Sequence, residues 1–223
     1  LKVSEIKVEY LGGFGSDVTV VNAARVSFAK EAKEIGEGDE RLIRYLATHK
    51  HHSPFNHAFL SFRVKAPIFV ARQLVKHKFM PWNEVSRRYV DEEPEFYFPE
   101  YWRGRAENVK QGSSEEAVDI VDRFEHFSGQ VQDYDPARDS AITALVAYKE
   151  ILSKGACPEQ ARMVLPQNTM TEWIWSGTLG AFLDMLKLRL DPHTQHETRI
   201  VAGKIATSVC TLFPISYDAY LNA

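Results

Sequence analysis

Between Arg72 and Tyr89 the chain concentrates Arg72, Lys76, Lys78, Arg87 and Arg88, with His77 among them and Glu84 as the only acid. Lysine and arginine offer charge to a phosphate, and Ser86 with nearby backbone amides offers directed hydrogen bonds. Gln73 and Lys76 stand three apart, which places them on one face of a helix. Glu84, Ser86 and Arg88 alternate, which in extended chain points them to one side. The segment therefore reads as one wall of an anion pocket. A plain solvated basic face is the competing reading. Phe79, Met80 and Trp82 interleave with the charges and imply partial burial, and a buried cation needs a partner such as a ligand phosphate.

The elements that must hold this wall follow from periodicity. Ile6–Tyr10 reads as a strand followed by a turn over 12–17, whose glycines lack both the Walker and the GxGxxG spacing. Helices are expected over Val20–Phe28 and around Leu42, Ile43 and Leu46, and a strand over Ala58–Val64. Pro67 is placed to open a helix that continues towards Lys78, and 81–89 reads as extended. From Ser113 the pattern turns helical, with Ser113 and Glu116 spaced as a capping box and Val118, Val121 and Phe124 as the apolar stripe. Helices are expected over Asp139–Ser153, from Pro158 to Pro166, over Thr171–Leu190 and over Glu197–Phe213. Strands in the first half and helices after them argue an α+β fold: a central, mostly antiparallel sheet with flanking helices and a helix-rich second half, in a single domain over 1–223.

Composition limits the rest. Hydrophobic residues make up 44% and charged residues 26% of the chain, as in ordinary soluble globular proteins. A net charge of −3 speaks against a general polyanion binder, so any anion site is a local one. No apolar run approaches the ~20 residues of a membrane span, and no signal-peptide pattern is visible. Cys157 and Cys210 make neither a disulfide framework nor a metal knuckle. A cytoplasmic setting is expected, with no membrane and no nucleic acid as partner.

The segment Lys76-His77-Lys78-Phe79-Met80-Pro81-Trp82-Asn83-Glu84-Val85-Ser86-Arg87-Arg88-Tyr89 resembles the signature of the flavin-dependent thymidylate synthases, R-H-R-x-x-S-x-N-x-x-S-x-R-Y. His77, Asn83, Ser86, Arg88 and Tyr89 match; lysine replaces arginine at 76 and 78, and Pro81 replaces serine. Further segments resemble the family in family order: Ala24–Phe28, His51–His57, Val64–Gln73, Ala161–Pro166 and Leu188–Asp191. The resemblance implies the thymidylate synthase-complementing type of fold. It also implies methylation of dUMP to dTMP, with methylenetetrahydrofolate as carbon donor and FAD reduced by NADPH. Homotetramers whose active sites draw on several subunits are implied too.

Carried over by position, dUMP is expected at Gln73, Lys76, Glu84, Ser86, Arg87, Arg88, Arg162 and Arg189, with Arg162 reaching in from a neighbouring subunit. Arg189 is the expected catalytic residue, a fixed cation beside the uracil ring NH. FAD is expected at Ser53, Lys76, His77, Lys78, Glu84, Thr178, Gly180 and Asp184, with His51 on the flavin and folate face. Thr178, Gly180 and Asp184 depart from the family's usual Asn, Arg and Asn, so a weaker hold on FAD is expected. No metal is expected. His49, His51, His52 and His57 cluster, but histidines at a helix end also complement its dipole. His193 reads equally as a substrate-side group or a cap. Cys157 reads as structural. Three other readings use the same residues. One is a single-strand nucleic-acid module with Trp82 and Tyr89 as stacking platforms. Another is a metal-dependent hydrolase built on the histidines, and the third is a flavin-poor inactive relative.

Overall fold

The computed structural model describes residues 1–90, 92–107, 112–125 and 131–223. In chain order the elements are β1 (Lys2–Val3), β2 (Lys7–Phe14), α1 (Asp17–Arg25), α2 (Glu37–Thr48), β3 (Phe59–Pro67) and α3 (Ile68–Leu74). Next come β4 (Trp82–Glu84), β5 (Glu95–Phe96), β6 (Trp102–Arg103), β7 (Ala117–Val118), β8 (Asp122–Glu125) and β9 (Val131–Tyr134). The second half holds α4 (Pro136–Ser153), α5 (Pro158–Ala161), β10 (Met170–Thr178), α6 (Leu179–Arg189), α7 (His196–Leu212) and α8 (Pro214–Leu221).

The central sheet runs β2-β3-β10-β4 with every pair antiparallel, as the α+β reading expects. Its backbone is the β3–β10 ladder, which pairs Pro67 with Met170 at one end and Phe59 with Thr178 at the other. Side chains alternate across a strand, so Leu60, Phe62, Val64, Trp173 and Trp175 share one buried face. Phe182 of α6 meets Phe62 on it, ring centroids 5.1 Å apart, and Val201 and Ile205 of α7 join the same core. Burial of each such side chain contributes roughly 1.5–3 kcal/mol. On the opposite face Arg63 reaches Glu9 at 3.7 Å and Glu172 at 3.8 Å across the strands.

Several sequence expectations need correction. Residues 171–190 are not one helix. Trp173, Trp175 and Gly177 are buried while Ile174 is exposed, a period of two that makes β10, and the helix begins only at Leu179. Thr178 marks the change: its Oγ1 accepts from the Ala181 amide at 3.2 Å and so caps α6. The helix expected from Ser113 is replaced by the short strands β7 and β8, because the stripe residues Val118 and Phe124 have no core to meet and are exposed. The Ser113 hydroxyl accepts from Arg103 Nε at 2.8 Å instead of capping. Beyond Glu125 that expectation falls outside the described residues until β9. The glycine stretch is not a turn from Gly12: β2 continues to Phe14 through a bulge between Tyr10 and Gly12. The extended stretch after Pro81 ends early, since the Tyr89 amide donates to the Ser86 carbonyl at 3.0 Å and closes a turn. The helix expected over Glu197–Phe213 is present as α7, and a further helix that was not expected, α8, follows it. Asp17 at the start of α1 accepts from the Ile215 and Ser216 amides at 3.0 and 2.9 Å and thereby caps α8.

Candidate active site

One large cavity, about 1210 Å3, opens between the end of α3 and the end of α6. Gln73 and Lys76 line it from the first, Lys187 and Arg189 from the second, and Asp191, His193, Gln195 and His196 from the connection into α7. The helical spacing of Gln73 and Lys76 does put both on the same wall. Gln73 Oε1 is buried there without a hydrogen-bond partner among the described residues. A buried orphan acceptor costs about 1–3 kcal/mol, and such atoms mark places where a ligand completes the bonding.

Arg189 ends α6 and is only partly exposed. Its Nε–H donates to His77 Nε2 at 3.0 Å, so His77 must accept there and carry its own proton on Nδ1. Burial first, then the adjacent Arg189 charge, lowers the His77 pKa to about 4 against the opposing pull of Asp184. The imidazole is thus neutral throughout the physiological range. It fixes the guanidinium without neutralising it, and burial lowers the Arg189 pKa from its ordinary value. The arrangement can hold an undiminished positive charge, at a set orientation, against a polar ring or an anion in the cavity.

The remaining expected nucleotide residues lie elsewhere on the chain. Glu84, Arg87 and Arg162 line a separate cavity of about 270 Å3 that shares no residue with the first. Glu84 accepts from Thr171 Oγ1 at 2.7 Å and from Trp82 Nε1 at 3.1 Å. Arg87 donates to the Glu92 carbonyl at 2.9 Å, and Arg162 Nε donates to the Glu159 carbonyl at 3.2 Å. Ser86 and Arg88 meet within the turn at 86–89 and not by strand alternation, with Arg88 Nε 3.0 Å from Ser86 Oγ. Of the interleaved apolar residues Met80 is buried and Trp82 half-buried, whereas Phe79 is 93% exposed.

The residues expected at FAD gather less closely. Apart from Lys76 and Glu84, none of them lines these two cavities. Thr178 Oγ1 donates to Asn56 Oδ1 at 2.7 Å. Gly180 is packed so tightly that a Cβ there would lie 2.5 Å from the same oxygen. Local packing thus excludes any side chain at 180 while Asn56 keeps its place. Asp184 accepts from the Tyr220 hydroxyl at 2.6 Å, and that hydroxyl lies 2.7 Å from His52 Nδ1. Ser53 and Lys78 are exposed. His51 belongs to a file of planar rings with Tyr45 and His49, the Tyr45–His49 centroids 4.1 Å apart. Position 180 offers no side chain that could supply a fixed cation.

Other histidines have identifiable occupations. His49 Nδ1 sits 2.9 Å from the Tyr45 carbonyl at the end of α2, and His193 is held by Asp191 at 3.0 Å on the cavity rim. No group of three or more potential metal ligands occurs among the described residues. Sequence reasoning assigned nothing to Asn56, Arg103 or Tyr220. Asn56 could have been noticed within the family-like 51–57 segment, whereas Arg103 and Tyr220 carry no local signal. Cys157 is exposed at the start of α5. No helix among the described residues is long and apolar enough to cross a membrane.

Residues 10–215 match the family model described as thymidylate synthase complementing protein. A flavin-dependent thymidylate synthase of Thermus thermophilus is 39% identical over 96% of this chain and 74% of its own length. The one of Kosmotoga olearia is 37% identical over 93% of this chain and 86% of its own. Among solved structures, the UMP/dUMP methylase PolB of Streptomyces cacaoi bound with 5-Br dUMP superposes with a TM-score of 0.83. It is 30% identical, over 100% of this chain and 97% of that one. A match of this breadth, over the same segments that build the cationic cavity, means that the chain belongs to the thymidylate synthase complementing family, that of the flavin-dependent thymidylate synthases.

Proposed function

We propose that the chain, as a single domain, converts dUMP to dTMP by reductive methylation, with methylenetetrahydrofolate as carbon donor and NADPH as reductant. The observation that carries this reading is the pairing of Arg189 with a neutral His77 beside Lys76 and the unpartnered Gln73 Oε1 in one cavity. The 5-Br dUMP bound by the PolB relative supports a nucleotide in that place.

In this reading Arg189 faces the uracil ring NH. Its fixed charge favours ionisation there and drives electron density towards the carbon that receives the methyl group. Gln73 completes its bonding on the base, and Lys76 contributes a point charge where the family's usual arginine would offer a planar fork. Ser86, Arg87, Arg88 and Arg162 bind the phosphate, with Glu84 alongside. The second cavity shares no side chain with the first, which fits a site shared between copies; that these form a homotetramer rests on the family resemblance. Ser53, His77, Lys78, Thr178, Gly180 and Asp184 would hold FAD, with His51 on the ring face. When bound, FAD supplies the hydride that completes the methyl group.

The test is direct. Purified protein with FAD, dUMP, NADPH and methylenetetrahydrofolate should form dTMP, and Arg189→Ala should form none while keeping the wild-type circular dichroism spectrum. Wild-type turnover in that variant would overturn the role given to Arg189.

A further inference from the structure

Asp184 puts an acid on α6 where the family's usual residue is a neutral asparagine. Its charge is felt at His77. Burial and the Arg189 charge lower the proton affinity of that imidazole, Asp184 raises it, and the Trp175 ring, centroids 6.2 Å away, is uncharged. A raised affinity would have a specific consequence. A proton on Nε2 removes the lone pair that accepts from Arg189, since an imidazolium is a donor at both nitrogens. A loose carboxylate close by would favour that proton. It would also find a partner, because the His77 Nδ1–H meets no acceptor among the described residues.

The carboxylate is not loose. Tyr220 of α8 donates its hydroxyl to Asp184 Oδ1 at 2.6 Å, and the same phenolic oxygen lies 2.7 Å from His52 Nδ1. The one phenolic hydrogen goes to Asp184, so His52 must donate from Nδ1. A hydroxyl that accepts one hydrogen bond donates a stronger one. Nor can the phenol follow the carboxylate elsewhere. Tyr220 is 5% exposed, and its ring meets Phe55 edge to face with centroids 5.3 Å apart. Three residues further along α6, Lys187 Nζ donates to the carbonyls of Tyr220 and Ala223 at 3.3 and 2.8 Å, which pins the end of α8 to the same helix. Burial, then the bond to Asp184 and its charge, hold the Tyr220 hydroxyl well above its ordinary pKa, so it remains a donor.

We infer that Tyr220 is a positioning residue for the nucleotide site: its hydroxyl, backed by His52, ties down the Asp184 carboxylate and so preserves the neutral His77 on which Arg189 depends. The tether compensates within this chain for an acid placed beside a site that works through a positive charge. Its part in catalysis rests on the role proposed for Arg189; its effect on His77 does not.

NMR titration of the full chain carrying isotope-labelled histidine, with every variant at the same flavin content, tests the tether. The His77 resonance is assigned from its absence in His77→Gln. Its midpoint, about 4 in wild type, should rise by roughly one unit in Tyr220→Phe, the scale of one nearby opposite charge. In the double variant Tyr220→Phe/Asp184→Asn, where no carboxylate remains, it should fall back to the wild-type value or below. The acid limb of kcat/KM for dUMP should move up and back with it, a coupled displacement that a loss of packing would not produce. His52→Leu, which leaves the buried phenol in place, should raise both by less, and it decides the matter should Tyr220→Phe not fold. An unmoved midpoint, or a rise that persists in the double variant, would overturn the tether whatever Arg189 does. A midpoint that moves while the acid limb stays would instead refute the use of the His77–Arg189 pair in the reaction, and Tyr220's part in the site with it.

Discussion

Removing the acceptor that holds Arg189 should disable the site without touching any residue assigned to the nucleotide. The bond from Arg189 Nε to His77 Nε2 is 3.0 Å long and involves a charged donor. Hydrogen bonds to charged groups contribute about 1.5–3 kcal/mol, or roughly 10- to 150-fold in an equilibrium or rate constant at 1.4 kcal/mol per decade. His77→Leu should therefore lower kcat/KM for dUMP by up to that factor, whereas His77→Gln, which keeps an acceptor, should retain most of it. Steady-state dTMP formation gives the ratio, with flavin content measured alongside because the resemblance also places His77 at FAD. Acid should imitate the leucine variant. The folded pKa of about 4 lies below the ordinary 6.5, so between these values the unfolded chain binds more protons. Stability from this group is thus lost as pH falls from about 6.5 through 4. Binding of dUMP should weaken near pH 4 in wild type, where the imidazolium can no longer accept, and should not do so in His77→Gln. A His77→Leu variant with full flavin and kcat/KM within twofold of wild type would refute the reasoning.

Four further outcomes are expected. Gly180→Ala must displace the Asn56 amide, since the new Cβ would lie 2.5 Å from its Oδ1. The loss is about 1–3 kcal/mol, and an unchanged Tm would contradict it. Asp17→Ala strands the Ile215 and Ser216 amides that it accepts from; urea unfolding should show a loss of at least about 2 kcal/mol, partly restored in Asp17→Asn. Arg162→Ala should raise the KM for dUMP about tenfold or more at nearly constant kcat, as for a lost phosphate contact. Flavin should leave the wild-type protein on prolonged dialysis, and Asp184→Asn, which keeps the acceptor for Tyr220 but removes the charge, should slow that loss; stoichiometric wild-type flavin after dialysis would contradict both.

Much of this site was legible in the chain because its parts are local. Gln73 and Lys76 share a wall by helical spacing alone, and Ser86 and Arg88 meet within one turn. What escaped depends on partners far away. Residues 171–178 hold two tryptophans and sit directly before a true helix, so an apolar period of two over so short a run was absorbed into the longer pattern. The stripe Val118, Val121, Phe124 has helical spacing, but periodicity cannot tell whether a core lies opposite, and among the described residues none does. Arg103 gains its meaning only from Glu197, and Tyr220 only from His52 and Asp184. Lone residues with distant partners leave no pattern to read. The departures at Thr178 and Gly180 also make sense only once Asn56 is seen between them.

The two disjoint cavities on one chain carry a genetic consequence. If one copy contributes Arg189 and another Arg162 to each catalytic centre, two impaired proteins, Arg189→Ala without turnover and Arg162→Ala with a raised KM for dUMP, each retain the half that the other lacks. Co-expressed, they should form hybrid assemblies in which some centres are fully wild type, and part of the turnover should return to the wild-type KM for dUMP, which neither variant shows alone.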